Sequence, residues 1–172
     1  MYRRIRYGYT FRRIPLTQGK YAIVDPEDYQ RISAHKWHAL RSKNTFYAKR
    51  AVRVEGRRQV VIKMHREILQ VPDGMLVDHI NHNGLDNRNA NLRPATSAEN
   101  NRNRRKSTKR KYHSRFKGVS WNKDQKKWSA RILFNYDNKF IGYFENETEA
   151  AKAYDEAAKF YHKDFAVLNF SP

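Results

Sequence analysis

Val77–Asn103 reads VDHINHNGLDNRNANLRPATSAENNRN, and the layout of this stretch decides the fold of the first part of the chain. Hydrolysis of a phosphodiester needs a base to activate water, a cation to stabilise the leaving oxygen, and a frame that holds both. His79 suits the base, because an imidazole titrates near neutrality. Asp78 stands next to it. In a regular strand its side chain points away from that of His79, so the two flank one phosphate only if the strand bends there. Asn100 offers an oxygen ligand from the helix that follows. Thr96 reads as the N-cap of that helix, with Glu99 three positions on. Hard oxygen ligands suit Mg²⁺ or Mn²⁺, with several waters retained. His79 and His82 are spaced like a zinc pair. No Cys and no second His pair completes a tetrahedral site, so structural zinc is not expected.

Upstream, the pattern mixes α and β. Ile14–Thr17 and Tyr21–Val24 flank a Gln18-Gly19 turn and read as a hairpin. Asp25-Pro26 starts a helix, with Asp25 as N-cap and Pro26 at the first helical position, ending near His35–Trp37. Residues 45–54 and 58–64 read as two strands joined at Glu55-Gly56. A short helix through Met64–Leu69 stops before Pro72. His65 is a candidate to assist His79. His35 and His38 read as structural or solvent-facing.

Charge is the strongest global fact. Lys plus Arg number 36 against 17 Asp plus Glu, a net charge of +19. Such a charge repels itself unless a polyanion answers it, and nucleic acid does so by releasing condensed counterions. Aromatic residues make up 13% of the chain and sit among the charges. No apolar run approaches the roughly 20 residues that span a bilayer, and the basic N-terminus has no apolar stretch behind it that would make a signal peptide. No membrane partner is expected. The absence of cysteine excludes disulfides and thiolate metal sites.

Three regions follow: a first domain over 1–101, a basic linker over 102–114, and a second domain over 115–172. The stretch RNRRKSTKRKYHSRFK, Arg102–Lys117, has almost no aliphatic residue to build a core. Arg102, Arg104, Arg105 and Lys109 are candidates to lie along a DNA backbone. The last region reads strand, strand, strand, helix: Lys117–Trp121, Trp128–Phe134, Lys139–Phe144, then a helix capped by Asn146 with Glu149 three on. Alternation directs Trp128, Ala130 and Ile132 to the helix, and Ser129, Arg131 and Leu133 outward. The helix presents Ala150, Ala151, Ala153, Ala157 and Ala158, small residues that allow close approach to a sheet.

Across most of residues 14–104 the sequence resembles the HNH nucleases of the ββα-metal fold, the phage and intron-encoded homing endonucleases in particular. The stretches that carry the resemblance are GKYAIVD, Lys36-Trp37, Met64-His65-Arg66, VDHINHNGLDNRNANLRPAT and ENNRN. The resemblance implies that His79 is the general base and Asp78 a metal ligand. It implies that Asn91, twelve residues after His79, braces the intervening loop and helps orient the base. It makes Asn100, nine residues further, the second metal ligand, with Asn101 as a one-residue alternative register. The implied cofactor is one divalent ion, Mg²⁺ or Mn²⁺, per active site.

Residues 115–172 resemble the DNA-binding domain of plant ethylene-response factors, the APETALA-two type. The matching stretches are Phe116–Val119, Lys127–Ile132, Ile141–Phe144, Glu149–Asp155 and Ala166–Phe170. The resemblance implies a three-stranded sheet that enters the major groove with a helix behind it. Lys117, Ser120, Trp121, Arg131 and Lys139 are then candidates for DNA contact. Trp121 reads equally as a core aromatic. The plant domains carry Arg at several of these positions, whereas Ser120 and Leu133 stand here, so base preference does not transfer.

The expected fold is α+β: an N-terminal ββα-metal nuclease domain, then a three-stranded antiparallel sheet packed on one helix. The expected function is site-selective, metal-dependent cleavage of double-stranded DNA in the cytoplasm of a phage or bacterial host, one strand per active site. Alternatives are a DNA-binding regulator whose nuclease part is inactive, and a nonspecific or structure-selective nuclease in defence or repair. An RNA-binding role is a weaker third. Monomer and homodimer both remain open.

Overall fold

The computed structural model describes residues 10–56, 59–106 and 114–170. Contacts divide the chain between Thr96 and Ser97 into two units.

In the first unit, β1 (Arg12–Pro15) and β2 (Tyr21–Val24) form an antiparallel hairpin, with Ile14 opposite Ala22. Gln18 and Gly19 both have positive φ, 61° and 62°. That is the geometry of a type I′ turn, whose twist matches the strands it joins. The α1 helix (Pro26–Ser33) starts with Pro26 in the first turn, where its missing N–H costs nothing. Asp25 occupies the N-cap position, but its carboxylate makes no capping bond. It instead accepts the Asn89 N–H at 2.7 Å. The helix ends at Ser33, short of the expected limit, and the indole N–H of the buried Trp37 reaches back to the Ile32 carbonyl at 2.8 Å.

Residues just beyond form a strand that the sequence reading had not separated from that helix end. The β3 strand (His38–Arg41) pairs with β4 (Phe46–Val52), which pairs with β5 (Val60–Lys63), in an antiparallel sheet ordered β3-β4-β5. Ala39 and Ala48 face each other on its buried side. The α2 helix (Met64–Leu69) leaves β5 directly and ends on Gln70 in the left-handed region. Ile14, Ala22, Val24, Ile32, Trp37, Ala48, Met64, Ile68 and Leu92 form the core. Leu92 belongs to a second hairpin, β6 (Leu76–His79) and β7 (Leu92–Ala95). The core thus grips the strand that faces His79.

The second unit opens with α3 (Ser97–Arg102). It continues with β8 (Val119–Asn122), β9 (Lys127–Phe134) and β10 (Asp137–Phe144), ordered β10-β9-β8 and antiparallel throughout. Asn135 and Tyr136, at φ 51° and 64°, make another type I′ turn. The α4 helix (Glu147–His162) packs on this sheet, and the Asn146 side chain accepts the Glu149 N–H at 2.8 Å as expected of a cap. Ala150, Ala151, Tyr154 and Ala158 are buried with Val119, Ala130 and Ile132. The small residues let the helix lie close to the strands. Gly118 makes that approach possible: its φ is +75°, and a Cβ there would lie 2.0 Å from the edge of the Tyr154 ring. The fold is therefore mixed α+β, with a C-terminal antiparallel sheet against a helix. No described helix is long and apolar enough to cross a membrane.

Candidate active site

The β6–β7 hairpin sets the register of the candidate centre. Asp78 lies opposite Arg93, and His79 opposite Leu92. Both Asp78 and His79 are 5% exposed, so neither faces open solvent although they alternate along the strand. Asp78 turns to Arg93, whose Nε and Nη2 donate to the same carboxylate oxygen at 2.9 and 2.7 Å. His79 turns to the other side, where Asn87, His65 and Tyr47 meet it.

The loop between the two strands holds itself together. Asn91 Oδ1 accepts the Asn81 N–H at 3.0 Å, and Asn91 Nδ2 donates to the Asp86 carbonyl at 2.8 Å. Asn81 Nδ2 donates to Asp86 Oδ2, and Arg88 clasps both carboxylate oxygens of Asp86 at 2.8 and 2.7 Å. The side chains of Asn81 and Asn83 each accept a backbone N–H two residues on, from Asn83 and Leu85. Asn does this readily because its short amide reaches its own backbone. The loop is also tied outward. Ile23 N–H donates to Leu85, Asn87 N–H donates to Ile23, and Gly84 N–H donates to the Thr45 hydroxyl. Gly84 has no room for a side chain: a Cβ would lie 2.5 Å from the Phe46 carbonyl oxygen and 2.6 Å from the Tyr47 ring.

The purpose of this frame is visible at His79. Asn87 is completely buried and presents its Oδ1 to His79 Nε2 at 3.3 Å. The oxygen can only accept, so the ring donates from Nε2 and the neutral imidazole keeps its lone pair on Nδ1. The His65 ring meets His79 edge to face at 5.0 Å, and Tyr47 lies 5.7 Å from His79 and 5.5 Å from His65. Burial lowers the pKa of His79, against the opposing pull of the Asn87 hydrogen bond and the carboxylates of Asp78 and Asp86. Burial takes His65 further, down to about 3, with His79, Lys63 and Arg66 adding to the effect. The Tyr47 hydroxyl is pushed up by burial and then by the Asp78 carboxylate, so it stays protonated. A neutral imidazole and a protonated phenol thus meet at the end of β6, and the imidazole lone pair is suited to take a proton from water.

Residues 70–102 match the family model of HNH endonucleases. The chain carries an HNH endonuclease domain. A relative described as an uncharacterized HNH endonuclease of Acanthamoeba polyphaga mimivirus is 26% identical over 154 residues, which span 88% of this chain and 76% of that protein. No solved structure matches. The match spans β6, the Asn-rich loop, β7 and α3. Tyr47 and His65 lie outside it, on β4 and α2.

The structure brings His79, Asn91 and Asp78 into one hairpin. Asn100 lies half-buried on α3, and Asn101 Oδ1 accepts from Arg104 Nη1 at 3.5 Å. Among the described residues no three His, Cys, Asp or Glu side chains group as a metal site. A hard divalent ion does not require such a group, since it keeps waters and takes one or two protein oxygens. The buried carboxylate of Asp78 suits that donor chemistry. His38 is exposed, and His35 lies 4.0 Å from the Glu67 carboxylate. Asn87 and Tyr47 were not singled out from the sequence. Asn87 is one asparagine among many in its stretch, and Tyr47 reaches the site only through the long-range placement of β4.

The expected DNA contacts scatter. Ser120 and Arg131 share the face of the C-terminal sheet away from α4, with Leu133, Phe140 and Tyr143. Ser129 lies on that face too, yet it is buried between Ser120 and Tyr143 and bonds to Ser120. Trp121 pairs with Trp128, and Lys139 with Ile132, which puts both on the helix side. The Lys117 ammonium donates to the Arg102 carbonyl at 2.6 Å, and burial pulls its pKa down to about 8. Arg102 is not loose either: it bonds to Asn135 at 3.1 Å and covers the Phe134 ring. Arg104 and Arg105 are exposed. Lys109 lies outside the described residues.

Proposed function

We propose that this chain is a site-selective, metal-dependent endonuclease of double-stranded DNA, similar to the homing endonucleases. The observation that supports it most is the His79 ring, held neutral by burial with Asn87 on Nε2, inside a segment that matches the HNH endonucleases. His79 Nδ1 takes a proton from water, and the oxygen attacks phosphorus in line. Asn91 keeps the loop closed so that Asn87 stays on the ring. HNH nucleases typically use a divalent metal. Asp78, together with Asn100 by its place in the sequence, would hold Mg²⁺ or Mn²⁺ here, and such an ion supplies positive charge at the leaving 3′-oxygen. The products carry a 5′-phosphate and a 3′-hydroxyl, and each active site cuts one strand. The C-terminal sheet, by its resemblance to the APETALA-two type, selects the site, and the basic stretch before it adds grip along the backbone.

Cleavage of supercoiled plasmid with Mg²⁺ or Mn²⁺, wild type beside His79→Ala, tests this reading. Nicked or linear product that requires both the metal and His79 is the expected result. Intact plasmid that the protein nevertheless retards in a gel would sink the nuclease reading in favour of a DNA-binding regulator. Cuts scattered evenly over a long DNA would remove site selectivity and leave a nonspecific nuclease.

A further inference from the structure

The β3-β4-β5 sheet carries an unusual row on its outer face. His38 lies opposite Lys49, and Lys49 lies opposite Lys63. Three basic side chains therefore stand side by side across three strands. Like charges directly opposite one another destabilise a sheet, as Lys49 and Lys63 are, and no carboxylate relieves them: among the described residues neither lysine, nor His38 beside them, makes an ion pair. The inner face of the same strands shows the contrast, because Arg50 there is paired with Glu67 at 2.9 Å. His38 and Lys63 are exposed and Lys49 is half-buried.

The row leads to the active site. Tyr47 is two residues from Lys49 on the same strand, so it shares the face. The Lys63 ammonium lies 6.0 Å from the Tyr47 ring centroid, and that ring touches His79 and His65. Neighbouring strands are about 4.8 Å apart, so the row is roughly 10 Å long. That is the axial rise of about three phosphates along one DNA strand.

We propose that His38, Lys49 and Lys63 form a track for the phosphodiester backbone of the substrate, delivering it to the His79 centre. The proposal rests on the nuclease reading for its substrate, but its evidence is the register and the unrelieved charge. It places part of the DNA grip in the nuclease unit itself, outside the segment that matches the HNH family. The row's mutual repulsion in the free protein is relieved when phosphates take the place of absent carboxylates.

The test uses the full chain and a linear DNA duplex, with binding followed by fluorescence anisotropy at several salt concentrations. Each phosphate contact contributes about 0.9 to the slope of log K against log salt. Lys49→Gln and Lys63→Gln are each expected to lower that slope by about 0.9, and the double variant by about 1.8. Lys49→Glu is expected to weaken binding more than Lys49→Gln while raising the melting temperature, because it places an acid directly opposite Lys63. A structural role for the lysine moves the melting temperature the other way. Unchanged slopes in folded single and double variants would overturn the track. Lowered slopes in a protein that never cleaves would keep the track and reject the nuclease reading.

Discussion

The imidazoles of His65 and His79 meet edge to face, with centroids 5.0 Å apart and ring planes at 86°. Two imidazolium ions at that distance, both buried, would repel strongly, and the surroundings hold both rings neutral at pH 7. Burial lowers the pKa of His79 below the ordinary 6.5, whereas its hydrogen bond to Asn87 favours the charged form. A base works only when unprotonated. Cleavage is therefore expected to rise with pH along an acid limb centred below pH 6.5 and to be level above it. Asn87→Ala removes the contribution that raises the pKa, so the limb moves to lower pH while the plateau falls roughly tenfold as the ring loses its orientation. A pH–rate profile of both proteins decides the matter, and an unmoved limb would remove Asn87 from the site.

His65 makes the same geometry a matter of stability. Its pKa is about 3 in the folded protein, against an ordinary 6.5 in the unfolded chain. Between these values the unfolded state binds the extra proton, so stability is full above pH 6.5 and declines as the pH falls toward 3. The decline from this one group is at most about 1.4 kcal/mol per pH unit. His65→Phe, which cannot take up a proton, is expected to flatten it. Urea unfolding at pH 7.5, 6 and 5 would show the difference, and equal slopes in the two proteins would contradict it.

Asn91 joins the two ends of the loop with one donor and one acceptor. Asn91→Ala leaves the Asn81 N–H and the Asp86 carbonyl without their partner, at a cost of about 2 kcal/mol. Asn91→Asp keeps the acceptor, loses the donor and sets a carboxylate against the Asp86 carbonyl oxygen, so it should be at least as harmful. Both variants should lose cleavage beyond what their stability at the assay temperature accounts for. Denaturant melts beside turnover under folded conditions would separate the two effects.

How much of this was legible follows from the range of each interaction. The hairpin at Gln18-Gly19, the cap at Asn146 and the strand ending in His79 are local, and short-range pattern is enough to find them. The four residues of β3 carry no pattern that separates them from the end of α1, and only pairing with β4 makes them a strand. Asn87 differs from its neighbouring asparagines solely in lying under His79, a matter of loop conformation. Trp121 and Lys139 are DNA-contact candidates by the resemblance to the APETALA-two type, with Trp121 reading equally as a core aromatic. Their side depends on register, which pairs Trp121 with Trp128 and Lys139 with Ile132 on the helix side. Pairing one residue out of this register would turn both to the opposite face.

Two glycines with similar backbone angles should respond differently to alanine. Gly19 has φ +62° and open space where a Cβ would go, so Gly19→Ala carries only the left-handed penalty, about 1 kcal/mol. Gly118 has φ +75° and the Tyr154 ring in that space, with the Arg131 carbonyl oxygen also close. Gly118→Ala therefore adds displacement of α4 to the same penalty, and a total of about 3 kcal/mol or more is expected. Thermal melts of both variants check this, and similar losses would mean that α4 can shift away from the sheet without cost.

Asp78 and Arg93 face each other across β6 and β7, and both side chains are largely buried, 6% and 15% exposed. A buried ion pair gives little net stability, because desolvation offsets attraction, but removing one member strands the other. Arg93→Ala is thus expected to cost about 3 kcal/mol by removing the ion-pair partner of a buried carboxylate. Arg93→Lys should recover part of this, since an ammonium restores the charge but cannot supply two N–H groups to one oxygen. Asp78→Ala alone removes the ion-pair partner of the guanidinium, which is closer to solvent, and should cost less. The double variant should be less unstable than the sum of the two single ones, the signature of a coupled pair. A double-mutant cycle by urea unfolding measures that coupling. Strict additivity would mean that the two groups, although 2.7 Å apart, are held by other partners.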